Sequence, residues 1–348
     1  MKLIDKLAER LKPINQRRFA NFRKNRRAVW SLAFFCLLFF ITLFSELIAN
    51  DRPIFISYQG HYYFPVFKEY PETTFGGDFE TEAEYRDPYI KDIIEKEGWI
   101  IWAPIPYRYD THITNLSSPA PSPPTKTNLL GTDDQARDVL ARIIYGFRIS
   151  VLFALALTFG TSIMGIFVGA IQGFYGGKID LVGQRILEIW GSLPELYMLI
   201  IMASVVTPNI WWLLGIMLLF GWTRLVDLVR AEFLRGRNLE YVRAARALGV
   251  GNAAIMFKHI LPNAVVATMT MVPFILAGAI TALTSLDFLG FGLPVGSPSL
   301  GELIAQGKEN LHAPWLGISA FVVLSLMLTL LVFIGEGVRD AFDPRLAK

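Results

Sequence analysis

The stretch Asn238–Asn263, NLEYVRAARALGVGNAAIMFKHILPN, separates two long apolar segments of the chain. Asn238 can cap a helix, and Glu240 suits the positive N-terminal end of that helix. Gly249 can take the left-handed conformation that ends it. The stretch is too polar to insert into lipid and too small to fold alone, so it predicts a short helix–turn–helix exposed at a membrane surface.

Three alanines, Ala244, Ala245 and Ala247, make the first of these predicted helices slim enough for a groove on another protein. Asn252 can cap the second helix, which Pro262 limits. The residues alone leave two interpretations open, a docking element for a partner protein or a solvated connecting loop. DNA is an unsuitable partner, because the stretch lies between two predicted membrane spans.

Outward from this stretch, apolar segments of membrane-spanning length recur along the chain. Only 18% of the 348 residues are charged, whereas soluble proteins carry roughly a quarter. The pattern predicts an all-α polytopic membrane protein with six transmembrane helices. The predicted spans are residues 29–49, 149–172, 184–206, 210–229, 264–286 and 315–337.

Charge between the spans predicts their orientation. Residues 1–28 hold ten Lys or Arg against two acids and form a predicted cytoplasmic, basic amphipathic segment. After the first transmembrane helix (29–49), residues 50–128 form a predicted periplasmic α+β insert, in which Gln59-Gly60 marks a hairpin turn. Residues 129–348 hold the other five spans and the basic loop 230–263. Both chain ends are therefore expected in the cytoplasm of a bacterium, with the spans in its inner membrane.

Four glycines spaced by four residues mark one face of the second predicted span and its end. They are Gly165, Gly169, Gly173 and Gly177. A neighbouring helix can approach such a face closely and gain dispersion contacts in lipid. Packing within one subunit and packing at a subunit interface both fit this pattern.

Glu195 follows Pro194 inside the third predicted span. If that helix begins near Gln184, Glu195 lies about 16 Å along it, close to mid-membrane. A carboxylate there predicts either the lining of a polar pathway or, if Pro194 breaks the helix, a bend near the membrane surface. Arg230 is expected to extend along the apolar surface toward water.

Two further charge clusters flank the spans. Arg224 and Asp227 are three residues apart and are expected to pair with each other. Arg137, Asp138 and Arg142 precede the second span on the outer side. They form either a periplasmic gate or docking edge, or a solvated helix face.

Several classes of function lack their sequence signatures. The segment GFYGGKID lacks the first Gly and the Ser or Thr of a P-loop, and neither HExxH nor GxSxG occurs. The four histidines have no metal-ligand spacing, and Cys36 is the only cysteine. The chain is therefore predicted to be no enzyme and to bind no cofactor or metal. A secondary transporter would predict an inverted repeat, which the sequence does not show.

The stretch 238–263 resembles the coupling loop of the binding-protein-dependent ABC importer permeases. Their pattern is Glu-Ala-Ala, three residues, Gly, nine residues, Ile, one residue, Leu-Pro. Arg243 replaces the Glu and His259 the Ile, as in the dipeptide/oligopeptide/nickel branch of the family. The matching residues are Ala244, Ala245, Gly249, Leu261 and Pro262.

Four other segments resemble the same branch, so that the resemblance covers about residues 130–348. Ala136 stands where Gly is usual, and Glu336 where Asp is common. The acidic insert before residue 120 resembles the Yej-type peptide permeases of this branch. The four segments are LGTDDQARDVLARIIYG (130–146), GFYGGKID (173–180), FLGFG (288–292) and GEGVRDAFDPR (335–345).

The resemblance implies a type I ABC importer permease that moves peptides, or peptide conjugates, into the cytoplasm by alternating access. It implies a homologous second permease, an ABC ATPase with two nucleotide-binding domains that holds ATP and Mg, and a periplasmic solute-binding protein. Nickel or another small solute is the alternative cargo. The implied ATPase-coupling residues are Asn238, Glu240, Tyr241, Arg243, Ala244, Ala245, Arg246, Ala247, Gly249, Leu261 and Pro262.

Overall fold

A computed structural model describes residues 13–342 except 117, 207 and 208. The first twelve residues of the predicted amphipathic segment lie outside the described residues, as does the end of the GEGVRDAFDPR motif.

Helices make up most of the described chain. In chain order they are α1 Pro13–Lys24, α2 Arg26–Leu43, α3 Ser45–Ile48, α4 Pro88–Glu97, α5 Val139–Tyr175, α6 Gly177–Gly191, α7 Glu195–Val205, α8 Ile210–Gly221, α9 Thr223–Gly236, α10 Glu240–Ala247, α11 Asn252–Ala254, α12 Leu261–Phe288, α13 Leu300–Glu309 and α14 Pro314–Phe342. A 3₁₀ turn covers Glu72–Phe75, and a π-helical segment, Ile255–Ile260, joins α11 to α12.

Four helices of the described chain are long and apolar enough to cross a membrane, namely α2, α5, α14 and the continuous helix of residues 252–288. Two further candidates are bent pairs, α6 with α7 at 71° and α8 with α9 at 42°. If each bent pair is one span, the total is six. The predicted spans 184–206 and 210–229 are thus not straight helices. Pro194 explains the first bend, because it has no N–H to continue the helix.

The chain divides into two compact units. The first contains the described residues of 13–36, 151–294 and 325–342, and the second contains 37–150 and 295–324. In the first unit, α5, α9, α10 and the residues around α12 share an apolar core. Its buried members are Ala170, Phe174, Val229, Phe233, Val242, Ile255, Ile260 and Ala264.

The second unit contains a three-stranded antiparallel sheet of order β2-β1-β3, with β1 Phe55–Tyr58, β2 His61–Tyr63 and β3 Gly98–Ile101. Gln59 and Gly60 both have positive φ, 50° and 77°, as the tight turn of a hairpin requires. Asp87 caps α4 by accepting a 2.7 Å hydrogen bond from the Tyr89 amide. The sheet and α4 enclose an apolar core. The periplasmic location of this insert stays a prediction.

Candidate functional site

The loop between α9 and α12 is built around α10, which has one buried and one exposed face. Val242 and Ala245 are buried, and Val242 belongs to the core of the first unit with Phe233 and Ile260. On the other side Leu248 is 84% exposed and Tyr241 44% exposed. The helix is therefore amphipathic, with its inner face packed on the core and its outer face exposed.

The N-terminus of α10 differs from the prediction that Asn238 caps it. The capping position is Leu239, which makes no side-chain cap bond. Asn238 instead donates 3.1 Å from Nδ2 to the carbonyl of Leu234. The last carbonyls of α9 lack helical partners, and a neighbouring amide side chain satisfies one of them. Glu240 lies in the first turn, where a carboxylate complements the helix dipole.

The C-terminus of α10 ends at Gly249, whose φ is +79°. The Gly249 amide donates 3.0 Å to the Arg246 carbonyl, and the Val250 amide donates 3.1 Å to the Ala245 carbonyl. These two bonds form a Schellman motif, which needs a left-handed residue at this position. A Cβ on Gly249 would meet no atom within 4 Å. The glycine is therefore required for its backbone conformation and not for close packing.

The second half of the loop is not the separate capped helix that the sequence predicted. Gly251 holds the capping position, Asn252 is already helical, and the helix continues as far as Phe288. Pro262 does not end it. Its ring would clash with the carbonyl four residues earlier in a regular α-helix, and the wider π-helical turns just before it accommodate the ring.

Tyr241 fastens α10 to the start of the following span. Its hydroxyl donates 3.2 Å to the His259 carbonyl and accepts 3.3 Å from Nδ2 of Asn263. These two hydrogen bonds join α10 to the π-helical segment and to the first turn of α12.

Three of the four predicted glycines lie against α9. A Cβ on Gly165 would lie 2.7 Å from Leu225 Cβ, and one on Gly169 would lie 2.7 Å from the Val226 carbonyl oxygen. One on Gly173 would lie 2.5 Å from the Arg230 carbonyl oxygen. The backbones approach closely within this chain, as small residues permit. Gly177 differs, since it has φ +53°, open space around its Cβ position, and begins α6.

Glu195 is the first residue of α7, directly after the break at Pro194. Its Oε2 lies 3.0 Å from Nη2 of Arg224, which is the second residue of α9. The predicted pairing of Arg224 with Asp227 is therefore wrong. The ion pair joins two helices at their bends, where the chain brings both side chains to one place. Both line a small cavity together with Gly278 of α12.

Arg230 binds a carboxylate instead of merely extending toward water. Its Nε and Nη2 lie 2.5 and 2.7 Å from the two oxygens of Asp180. This bidentate geometry ties α9 to the first turn of α6 and is among the stronger charge-assisted arrangements.

Arg137, Asp138 and Arg142 are all buried, so a solvated helix face is wrong for them. Nη2 of Arg137 and of Arg142 lie 3.0 and 2.7 Å from the two oxygens of Glu302 in α13. Oδ2 of Asp133 lies 2.7 Å from Arg137 and 3.5 Å from Arg142. Two guanidinium groups thus share two carboxylates in the second unit.

Asp138 lies beside this network, and its described partners are an amide side chain and a backbone amide. Its Oδ2 accepts 2.8 Å from Asn128 Nδ2, and its Oδ1 accepts 2.8 Å from the Ala141 amide. Burial raises the pKa of the Asp138 carboxyl, and these hydrogen bonds oppose that rise. Asp138 thereby joins Asn128 to the first turn of α5.

No group of three His, Cys, Asp or Glu side chains is placed to hold a metal ion among residues 13–342 that the structure describes. Cys36 is a free, exposed thiol. The described side chains offer ion pairing, close helix packing and an exposed face on α10.

Sequence comparisons place these features in a known family. Residues 142–348 match the binding-protein-dependent transport system inner membrane component, and residues 15–64 match the N-terminal transmembrane domain of oligopeptide transport permease C. The chain belongs to the family of binding-protein-dependent inner-membrane transport components, which are transport subunits and not catalysts. The resemblance of residues 130–348 to the binding-protein-dependent ABC importer permeases is thus confirmed.

Among its relatives is the inner membrane ABC transporter permease protein YejE of Escherichia coli K12. It is 58% identical over 97% of this chain and 99% of its own. The peptidoglycan transport system permease protein YejE of Agrobacterium fabrum is 56% identical over 96% and 93%. The oligopeptide transport system permease protein OppC of Lactococcus lactis is 35% identical over 65% and 78%. The predicted resemblance to the Yej-type peptide permeases is confirmed.

Sequence reasoning missed Asp180 and Glu302 as ion-pair partners and Leu248 as the most exposed apolar residue near α10. The partners are 50 residues from Arg230 and 160 from Arg142, beyond any local spacing rule. The exposure of Leu248 could have been predicted from the sequence. An apolar residue just before the glycine that ends a surface helix has few neighbours to pack against.

Proposed function

We propose that this chain is a permease subunit of an ABC importer that carries peptides, including peptide conjugates derived from peptidoglycan, into the cytoplasm. The printed descriptions of relatives as peptidoglycan and oligopeptide transport permeases support this cargo. They do not favour the nickel alternative.

The observation that carries the proposal is the geometry of α10. The helix lies between two candidate spans, is anchored by Val242, and presents Leu248 and Tyr241 outward. An apolar tip on an anchored helix suits insertion into a cleft of a separate protein. We assign that protein as the ABC ATPase, whose two nucleotide-binding domains hold ATP and Mg.

The proposed topology gives the bent pairs one span each, making six. Residues 1–28 and the loop 230–263 then face the cytoplasm, as do both termini. Residues 29–49 form the first span, 50–128 the periplasmic insert, and 129–348 the permease core. The solute-binding protein delivers peptide at the periplasmic side, and a homologous second permease completes the pathway.

Transport follows from two alternating states of the paired permeases. Closure of the ATPase draws the two docked helices together, and Tyr241 passes that displacement to α12. The pair Glu195–Arg224 joins the two bent spans. We propose that this pair lies beside the pathway, and that Glu195 is available to a peptide ammonium group when the pair separates.

The test is reconstitution of the chain in liposomes with its second permease and ATPase. ATP-dependent accumulation of a peptide, stimulated by loaded binding protein, is the expected result. Uptake by the chain alone without ATP would instead identify a secondary transporter. A complex that accumulates nickel and no peptide would replace the proposed cargo while keeping the class.

A further inference from the structure

A basic pocket of about 410 Å³ opens beside α10 in the first unit. It is lined by Arg237 and Arg246, with Asn252 and Tyr175 among its polar neighbours. Nη1 of Arg237 donates 3.3 Å to the Phe174 carbonyl, and the Arg246 guanidinium lies 5.8 Å from the centre of the Phe174 ring. Neither arginine forms an ion pair within the part of the chain that the structure describes. The pocket thus offers two positive charges to an anion.

An apolar cavity of about 510 Å³ adjoins this pocket. It lies between residues 163–175 of α5 and residues 253–265 around the π-helical segment, and Tyr175 lines both cavities. Phe167 and Phe257 are exposed at its edge. Its volume falls within the range of roughly 300–1,000 Å³ that small-molecule sites occupy.

The two cavities are arranged in the order that a lipid requires. Residues 163–175 make about 18 Å of helix at the end of an apolar span, and the arginines lie beyond that end. In the proposed topology this end is at the cytoplasmic surface. An acidic side chain of a docked protein would occupy only the basic pocket, and a packed helix would fill only the apolar cavity. An anionic phospholipid fills both, with its phosphate at the guanidinium groups.

We propose that the chain binds one anionic phospholipid of the inner leaflet, with its phosphate between Arg237 and Arg246 and an acyl chain between α5 and residues 253–265. Because Arg246 belongs to α10, the lipid links the docking helix to the membrane surface. The site does not depend on which solute is carried.

The test uses the full-length chain in mild detergent, titrated with dioleoyl phosphatidylglycerol or dioleoyl phosphatidylcholine, with bound lipid counted by native mass spectrometry. Phosphatidylglycerol is expected to bind more tightly than phosphatidylcholine. Arg237→Gln and Arg246→Gln should each weaken it about fivefold, the effect of one basic residue near an anionic lipid. Arg235→Gln is the matched control, since Arg235 is exposed in the same region and lines neither cavity.

The apolar half is tested separately by Ala253→Trp, which fills the cavity from an exposed position at its edge. Dioleoyl phosphatidylglycerol should bind more weakly to this variant, whereas dihexanoyl phosphatidylglycerol should be unaffected. Equal binding of the two headgroups, or no effect of either arginine substitution, would overturn the proposal. So would loss of the lipid when the second permease and ATPase assemble on the chain, because the cavities would then be a protein interface.

Discussion

Substituting Gly169 with Ala tests the close approach of α5 and α9. The new Cβ would lie 2.7 Å from the Val226 carbonyl oxygen, 2.8 Å from Val229 Cβ and 3.1 Å from the Arg230 amide nitrogen. Two of these atoms are backbone atoms of α9, so relief requires the helices to separate. Overpacking of this kind costs about 1–3 kcal/mol.

The matched control is Gly215→Ala in α8, where the added Cβ would meet no atom within 4 Å. That variant should gain about 0.5–1 kcal/mol, because alanine loses less backbone entropy in a helix. Both variants share this gain, so the difference between them isolates the clash. We expect Gly169→Ala to be less stable than Gly215→Ala by about 1–3 kcal/mol.

The assay is unfolding in mixed micelles by a rising fraction of SDS, followed by circular dichroism. A thiol-reactive dye is unsuitable, because Cys36 is exposed in the folded chain. Gly173→Ala should be at least as costly, since its Cβ would lie 2.5 Å from the Arg230 carbonyl oxygen. Equal free energies of unfolding for the Gly169 and Gly215 variants would refute the close approach.

Three further substitutions test single features. Ala136 has φ +60°, a conformation that costs about 1–2 kcal/mol for a residue with a Cβ. Ala136→Gly should therefore raise the free energy of unfolding. A decrease in that free energy would contradict the assigned conformation. Gly249→Asn should retain peptide-stimulated ATPase activity in the reconstituted complex, and Gly249→Val should lose it. Asparagine tolerates the left-handed region, whereas a β-branched residue does not. Equal activity of the two variants would show that the left-handed conformation of Gly249 is not needed. Glu302→Gln should cost about 3–5 kcal/mol, because Asp133 alone would then face the buried charges of Arg137 and Arg142. Glu309→Gln, exposed on the same helix, should cost little; similar losses of stability from both variants would show that the ion-pair network does not stabilise the fold.

The sequence predicts those features whose causes are local. The turn at Gln59-Gly60 and the left-handed end at Gly249 follow from residue type, because few residues accept positive φ. The apolar segments follow from composition. Each of these signals lies within a few residues of the structure it specifies.

Features that depend on distant parts of the chain were missed or mispredicted. Arg224 has Asp227 at helical spacing, yet it pairs with Glu195, because both bends bring that carboxylate within 3.0 Å. Asparagine commonly caps the N-terminus of a helix. The side chain of Asn238 instead donates a hydrogen bond to a carbonyl at the end of the preceding helix. From the sequence alone, Arg142 is expected at the surface. It is buried because Glu302 of α13, 160 residues further along the chain, pairs with it. Tertiary contacts decide each case.

The most direct test of the central claim is a cysteine cross-link from α10 to the ATPase. Ala244 lies on the exposed side of α10, so Ala244→Cys in a Cys36→Ser background can be joined to a cysteine introduced in the ATPase cleft of a complex that still transports. We predict a cross-link whose yield changes between the ATP-bound and nucleotide-free states. A fully transporting complex that forms no such cross-link, with any cysteine position along the cleft, would contradict the account.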